Sequence, residues 1–138
     1  MLDFVKLYYI RGILKYFCLN TVERKKRILF IINPISGVGS KNLLPGLIDK
    51  YIDKRLYESS VAYTEYAGHA CSLASDAAAG GVDVVVAVGG DGTINEVARS
   101  IVHTGTALGV VPCGSGYGFA RHLGIPMNLR KSLEFINK

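Results

Sequence analysis

The fold of this 138-residue chain is decided by one stretch, Val84-Val85-Val86-Ala87-Val88-Gly89-Gly90-Asp91-Gly92-Thr93-Ile94-Asn95-Glu96-Val97. Its first five residues are apolar and four of them are valine, which is typical of a strand buried on both faces in a parallel sheet. A glycine pair follows this run. Apolar residues then recur with the period of a helix, at Ile94, Val97, Ala98, Ile101 and Val102. The stretch therefore predicts a strand, a tight turn and a helix.

The turn inside this stretch has the composition of an anion site. Paired glycines such as Gly89 and Gly90 can take backbone angles closed to other residues, and they let another group approach the main chain. Thr93 and Glu96 have the spacing of a capping box, which predicts that Thr93 caps the helix. The N–H groups and the dipole at such a helix start favour phosphate, and an ordinary glycine-rich βα turn is the alternative.

Asp91 favours a functional interpretation of this turn. A carboxylate inside an anion cradle repels the anion unless a cation or a hydroxyl lies between them. Asp91 therefore points to Mg²⁺ near the phosphates, or to hydrogen bonds with a sugar or with the loop itself.

The rest of the chain repeats the alternation of strand and helix. Strands are predicted near residues 28, 58, 84 and 108, at the spacing of βαβ units, and the polar alternation of residues 57–63 indicates an edge strand. Helices are predicted over about residues 41–54, from about residue 70 to the glycine pair at 80–81, and near 129–137. The sequence predicts an α/β fold, a three-layer α/β/α Rossmann-like domain with a mainly parallel sheet and right-handed crossovers. The loops after the first, third and fourth strands should line one cleft at the carboxyl edge of the sheet.

Two motifs carry a resemblance to a known family. Gly89-Gly90-Asp91-Gly92-Thr93 resembles the nucleotide-binding signature of the diacylglycerol kinase catalytic family, which includes bacterial lipid kinases, sphingosine kinases and ceramide kinases. The NAD kinases share this motif, and their fold is related. Asn33-Pro34-Ile35-Ser36-Gly37 follows the first strand and resembles the first motif of the family. Its Asn and Ser offer side-chain hydrogen bonds beside free N–H groups, and the absence of Gly-Lys-Ser/Thr excludes a Walker A loop.

Two further stretches extend the resemblance. Thr64 precedes Gly68-His69-Ala70, as a threonine precedes Gly-x-Ala in the family, where its hydroxyl faces the nucleotide; a simple cap and turn is the alternative. The third motif is Pro112-Cys113-Gly114-Ser115-Gly116-Tyr117-Gly118-Phe119-Ala120-Arg121. It resembles Pro-x-Gly-Thr-x-Asn-Asp-Phe-Ala-Arg of the family and favours the lipid kinases over the NAD kinases. Tyr117 and Gly118 depart from this pattern, because they replace an asparagine and an aspartate.

The resemblance spans about residues 28–126 and implies the ATP-binding half of a lipid kinase. Such an enzyme transfers the γ-phosphate of ATP to a lipid hydroxyl of the diacylglycerol or sphingoid-base type, so ATP, Mg²⁺ and a membrane lipid are the implied cofactors and partners. The implied binding residues are Asn33, Pro34, Ile35, Ser36, Gly37, Thr64, Gly89, Gly90, Asp91, Gly92, Thr93, Ile94, Asn95, Gly114 and Ser115. Asp91 would be an indirect ligand of the metal.

In the family, a second, β-rich domain follows and supplies the general base. No residue of this chain matches that base, so these residues alone are expected to be inactive. Two alternatives remain open, which are a non-catalytic nucleotide-binding or membrane-recruitment module and an NAD kinase relative.

Positive charge is concentrated at the N-terminus. Residues 1–27 hold seven basic and two acidic side chains, a net of +5, whereas residues 28–138 hold nine of each, a net of zero. General affinity of the folded surface for nucleic acid is therefore not expected. Residues 2–22 contain no apolar run of the ~18 residues needed to span a bilayer, and their aromatic and basic residues predict an interfacial helix. There are two alternatives to this interpretation. The segment could be a helix packed on the domain, or it could be translated sequence upstream of the native start.

We therefore predict a basic amphipathic segment over residues 1–27 and a nucleotide-binding domain over residues 28–138. The three cysteines, Cys18, Cys71 and Cys113, are odd in number and form no CxxC pair, which indicates a reducing compartment. The expected location is the cytoplasm, with peripheral contact at the inner membrane surface, and a homodimer is left open.

Overall fold

The computed structural model describes residues 6–10, 13–17, 24–35, 41–113 and 118–138, and these ranges contain two sheets. Their strands are β1 (Lys6–Ile10), β2 (Ile13–Phe17), β3 (Lys26–Ile32), β4 (Tyr57–Tyr63), β5 (Val84–Gly89) and β6 (Ala107–Pro112). The larger sheet has the order β4-β3-β5-β6, and every neighbouring pair in it is parallel. The prediction of an α/β fold with a mainly parallel sheet is confirmed, and β4 lies at an edge as predicted.

The central strands are apolar without alternation because both of their faces are covered. In β5, Val86 and Val88 join one core cluster, whereas Val85 and Ala87 join the other. All four side chains are at most 1% exposed. A strand with one face in water would have alternated with polar residues, so the valine run follows directly from this double burial.

Helices cover both faces of the larger sheet. They are α1 (Leu44–Tyr51), preceded by a 3₁₀ turn at Lys41–Leu43, then α2 (His69–Ala79), α3 (Asp91–Ile101), α4 (Gly118–His122) and α5 (Leu129–Ile136). The core cluster that contains Val85 includes buried residues of α2, α3 and α4. The cluster that contains Val86 includes buried residues of α1 and α5. The three-layer α/β/α prediction is therefore confirmed.

The order of the strands predicts where a ligand would bind at the edge of the sheet. The chain passes from β3 to β4 on one side and then crosses back to β5 on the other side of β3. The connecting helices α1 and α2 lie on opposite faces. In open α/β sheets ligands bind outside the carboxyl ends of the strands where the order reverses in this way. Here that position lies between the ends of β3 and β5.

The smaller sheet corrects one prediction. Strands β1 and β2 pair antiparallel, with Ile10 opposite Ile13. The interfacial helix predicted over residues 2–22 is therefore wrong for these two segments. Two short runs rich in Tyr, Ile and Leu are separated by two residues that include Gly12, which favours a hairpin over a helix. Within the described ranges, no helix has the length and apolar character that crossing a bilayer requires.

Four of the predicted binding residues lie outside the described ranges, namely Ser36, Gly37, Gly114 and Ser115. Tyr117, one of the two departures from the family pattern, also lies outside them.

Candidate functional site

A cavity of about 220 Å³ opens at the carboxyl edge of the larger sheet. It is lined by Asn33, Ile35, Thr64, Glu65, Tyr66, Ala67, Ala70, Thr93 and Glu96. Four of the predicted residues are among them, and they come from three separate stretches, after β3, after β4 and after β5. The structure thus brings Asn33, Ile35, Thr64 and Thr93 around one space.

Asn33 joins two of these loops. Its backbone N–H donates to the carbonyl of Val88 at 3.1 Å, and its side-chain Oδ1 accepts the backbone N–H of Ile35 at 3.0 Å. Its side-chain Nδ2 donates to Oγ1 of Thr93 at 3.4 Å. A bond from the backbone N–H two residues later, such as that of Ile35, is the usual way in which an asparagine side chain stabilises a turn. Both ends of the amide therefore bond within the protein and hold one wall of the cavity in shape.

Helix α3 begins three residues earlier than the capping box predicts. Its first residue is Asp91, its N-cap residue is Gly90, and this N-cap has no side-chain cap hydrogen bond. The prediction that Thr93 caps the helix is wrong, because Thr93 already lies in the first turn and is only 7% exposed. The first N–H groups of a helix have no partner within the helix. Gly90 has no side chain, so the N-cap residue of α3 cannot supply that partner.

The glycines at this helix start leave open space beside the main chain. Gly90 has φ −88° and ψ −172°, which other residues also adopt, and Gly89 does not have a positive φ either. These two positions therefore do not use the backbone angles that only glycine adopts easily. A Cβ placed on Gly90 or Gly92 would meet no atom within 4 Å. This open space, next to the N–H groups of α3, fits a phosphate that approaches the backbone closely.

The carboxylate of Asp91 lies exposed in the first turn of α3. Its Oδ1 accepts the backbone N–H of Phe119 at 3.4 Å, and a Cβ on Gly118 would lie 3.6 Å from its Oδ2. Among the described residues no group of three or more His, Cys, Asp or Glu side chains could hold a metal ion. A single carboxylate fits Mg²⁺ in the manner common at phosphate sites, where phosphate oxygens and water supply the other ligands.

The other predicted residues offer less to a ligand. Gly89 ends β5, and its carbonyl accepts the backbone N–H of Cys113 at 2.9 Å. Ile94 is 2% exposed in the core, and its N–H donates to the carbonyl of Gly90 at 3.1 Å. Pro34 and Asn95 are exposed but are not part of the cavity lining.

Sequence reasoning missed several residues of the lining. Glu65, Tyr66 and Ala67 form the turn between β4 and α2, and no pattern in the sequence reveals which way such a turn faces. Glu96 was explained as a capping partner, yet it lies in the cavity wall. Its position three residues after Thr93 puts both on one face of α3, and this spacing is the signal that could have found it.

Comparisons with known proteins identify the family of the chain. The family model of the diacylglycerol kinase catalytic domain matches residues 27–138. A diacylglycerol kinase of Bacillus subtilis (strain 168) is 41% identical over 104 residues, which cover 73% of this chain and 34% of that protein. A diacylglycerol kinase of Staphylococcus aureus (strain MRSA252) is 39% identical over 115 residues, which cover 81% of this chain and 36% of that protein.

A solved structure shows the same fold. The crystal structure of a diacylglycerol kinase from Bacillus anthracis str. Sterne matches with a TM-score of 0.67 and 25% sequence identity, over 81% of this chain and 42% of its own. The α/β fold with its parallel sheet is thus similar to that of this structure.

The chain belongs to the diacylglycerol kinase catalytic-domain family. It spans about a third of the length of the curated relatives that it matches.

Proposed function

We propose that this chain is the ATP-binding half of a lipid kinase that transfers the γ-phosphate of ATP to a lipid hydroxyl of the diacylglycerol or sphingoid-base type. The observation that carries the proposal is the open space at Gly90 and Gly92, at the start of a helix whose Thr93 lines the cavity. The name of the relatives, diacylglycerol kinase, supports a lipid hydroxyl as the acceptor.

Three of the cavity residues have a role in this proposal. The phosphates lie against the first turn of α3, because its N–H groups and its dipole attract anions. The hydroxyl of Thr93 accepts a hydrogen bond from Asn33 and can still donate its own proton to the nucleotide. Thr64 presents a second hydroxyl from the loop after β4. The predicted contacts of Ser36, Gly37, Gly114 and Ser115 complete the proposed site.

Asp91 is the residue that would hold Mg²⁺. The ion, when bound with ATP, neutralises negative charge on the phosphate oxygens. The position of the carboxylate, in the first turn of α3 and close to α4, suits a ligand shared with phosphate and water.

We also propose that these 138 residues do not transfer phosphate on their own. The reaction needs an acceptor hydroxyl held in line and a group that takes its proton. In the described part of the chain, the carboxylates at this edge of the sheet include Glu65, Asp91 and Glu96. Asp91 is assigned to the metal, and Glu65 and Glu96 belong to the wall of the cavity that is assigned to the nucleotide. The match covers 34% of the B. subtilis relative, so most of that protein is available to hold the lipid.

Contact with a membrane surface belongs to the same proposal. Residues 1–27 carry a net charge of +5, which would attract anionic phospholipids. Binding to vesicles that contain anionic lipid should depend on these residues and weaken with added salt, because salt screens exposed charges. A chain that begins at Lys26 and binds such vesicles equally well would contradict this part of the proposal.

Calorimetric titration tests the nucleotide assignment. We expect weak binding of ATP with Mg²⁺, and no transfer of labelled phosphate to diacylglycerol or sphingoid base in mixed micelles. Binding of NAD without binding of ATP would favour the NAD kinase alternative. Turnover by these residues alone that Asp91→Asn abolishes would show that the active site is already complete.

A further inference from the structure

Two aromatic side chains form a stacked pair at the cavity. The rings of Tyr66 and His69 lie with centroids 4.4 Å apart and planes 9° from parallel. His69 is the first residue of α2, and its Nδ1 accepts the backbone N–H of Glu65 at 3.0 Å. The imidazole is therefore anchored both to a helix and to the turn before it. The tyrosine ring lies flat on a support whose orientation is set by the backbone.

The turn that carries this pair has a defined shape. Gly68 precedes α2 with φ 89°, in the left-handed region that favours glycine. The backbone N–H of His69 donates to the carbonyl of Tyr66 at 3.1 Å. These features bring residues 66 and 69 close enough for their rings to meet.

One face of the tyrosine ring remains open. Tyr66 is 62% exposed although His69 covers one side of its ring, and Tyr66 also lines the 220 Å³ cavity. An aromatic ring that is supported on one face and left open on the other is suited to stacking against another flat ring. Proteins that hold nucleotide bases commonly use exposed aromatic side chains in this way.

The rest of the cavity complements a base. Ile35 is 88% exposed and adds an apolar side chain to the lining, and its backbone N–H is fixed by Asn33. The carboxylates of Glu65 and Glu96 belong to the same lining and can accept hydrogen bonds from the N–H groups at the edge of a base. Thr93 lies in the same cavity and in the first turn of α3, where phosphate is expected. One nucleotide can therefore reach both the tyrosine and the helix start.

We infer that Tyr66, supported by His69, is the platform on which the base of the bound nucleotide stacks, and that it makes the site prefer purine over pyrimidine nucleotides. The inference rests on the proposed function, since it assumes that a nucleotide occupies the cavity. A purine has the larger stacking surface, so loss of the aromatic ring should affect ATP more than CTP. The phosphate contacts at α3 are the same for both nucleotides.

Titration of ATP and CTP, each with Mg²⁺, tests the inference on the intact chain and on three variants. Tyr66→Ala should weaken ATP binding about tenfold and bring the affinities for ATP and CTP close together. Tyr66→Phe should keep both the affinity and the preference, because stacking does not need the hydroxyl. Tyr63→Ala is the matched control, since Tyr63 is an exposed tyrosine that ends β4 outside the cavity lining.

The outcomes distinguish failure of the base-stacking inference from failure of the proposed nucleotide binding. If the unmodified chain binds ATP and inorganic tripolyphosphate equally well, the phosphate site stands but the base is not recognised, and the inference is wrong. If Tyr66→Ala lowers thermal stability while the ratio of ATP to CTP affinity is unchanged, the stacked pair only stabilises the turn. Failure of the unmodified chain to bind any of these ligands would reject the proposed function together with the inference.

Discussion

The side-chain amide of Asn33 donates to the hydroxyl of Thr93 at 3.4 Å, and this bond joins the loop after β3 to the first turn of α3. The two residues are 60 positions apart in the sequence. They belong to two different motifs, and each motif alone is a weak functional signal. The hydrogen bond makes them parts of one cavity wall on either side of the point where the strand order reverses.

The variant Thr93→Val tests the role of this bond. It removes the hydroxyl and keeps the shape of a mostly buried side chain. We expect unfolding in urea to show a loss of about 0.5–1.5 kcal/mol, the usual worth of one hydrogen bond, together with weaker ATP binding. Thr106→Val is the control, because Thr106 donates to the carbonyl of Val82 at 2.8 Å, at the amino-terminal edge of the sheet. This control should lose similar stability and keep its ATP affinity, and equal loss of affinity in both variants would contradict a specific role for Thr93.

Gly90→Ala tests the phosphate position. A Cβ there would occupy space that is open in the protein, and Gly90 has an ordinary backbone conformation, so the melting temperature should hardly change. ATP affinity should fall about tenfold, because the methyl group would stand where a phosphate approaches the backbone. Gly105→Ala makes the same change in equally open space, just before β6 at the opposite edge of the sheet. Calorimetry measures the ATP affinity of both variants. If Gly90→Ala binds ATP as strongly as Gly105→Ala does, the proposed phosphate position is wrong.

Asp91→Asn separates a metal role from a structural role. The stability of the chain should fall by less than about 1 kcal/mol, the usual effect of one carboxylate near a helix N-terminus. ATP binding in the presence of Mg²⁺ should weaken, because the carboxylate that holds the ion is lost. Binding of ATP without Mg²⁺ should stay the same or strengthen, because a negative charge is removed from an anion site. Titrations with and without Mg²⁺ measure the two effects, and equal weakening in both conditions would contradict a metal role.

A salt bridge at the opposite edge of the sheet predicts acid sensitivity. The carboxylate of Asp83 accepts hydrogen bonds from both terminal nitrogens of Arg24, at 3.0 and 2.9 Å, and from the backbone N–H of Arg27 at 2.7 Å. The bond to Arg24 is the largest cause that lowers the pKa of Asp83 below its ordinary value of 3.8. A lowered pKa in the folded state means that the stabilisation is complete above pH 3.8 and is lost as the pH falls towards the folded pKa.

Denaturant unfolding at pH 7 and near pH 3 measures this loss. We expect the free energy of unfolding to fall towards pH 3, and we expect a smaller fall in Asp83→Asn, which has no carboxylate to protonate at this position. Identical pH profiles for the two proteins would show that the pair does not contribute to acid sensitivity.

The sequence predicted the larger sheet well because double burial leaves a strong pattern. The apolar runs at β3 and β5 are typical of strands covered on both faces, and the polar alternation of β4 indicated an edge. The N-terminal hairpin was mistaken for a helix because its mixture of aromatic and basic residues is also typical of an interfacial helix. Two short strands give too few residues for a period of two to stand out.

Only part of the site could be predicted from the sequence. Motif spacing identified the loops but not the direction in which their side chains point. The capping-box spacing of Thr93 and Glu96 occurs inside a helix that had already begun at Asp91, so both side chains are available to the cavity. Tyr66 was missed because its position depends on the shape of the turn between β4 and α2, and a sequence pattern does not contain that shape.

Nucleotide binding at this cavity is the central claim, and chemical-shift mapping tests it most directly. The isolated chain, labelled with ¹⁵N, is titrated with ATP and Mg²⁺, and the backbone amides are followed. We predict that the largest shifts fall on Asn33, on Ile35 and on residues 64–67 and 89–95, which border the cavity and the start of α3. Residues at the amino-terminal edge, such as Arg24, Asp83 and Gly105, should hardly move. Shifts confined to that opposite edge, or no shifts at millimolar ATP, would contradict the account.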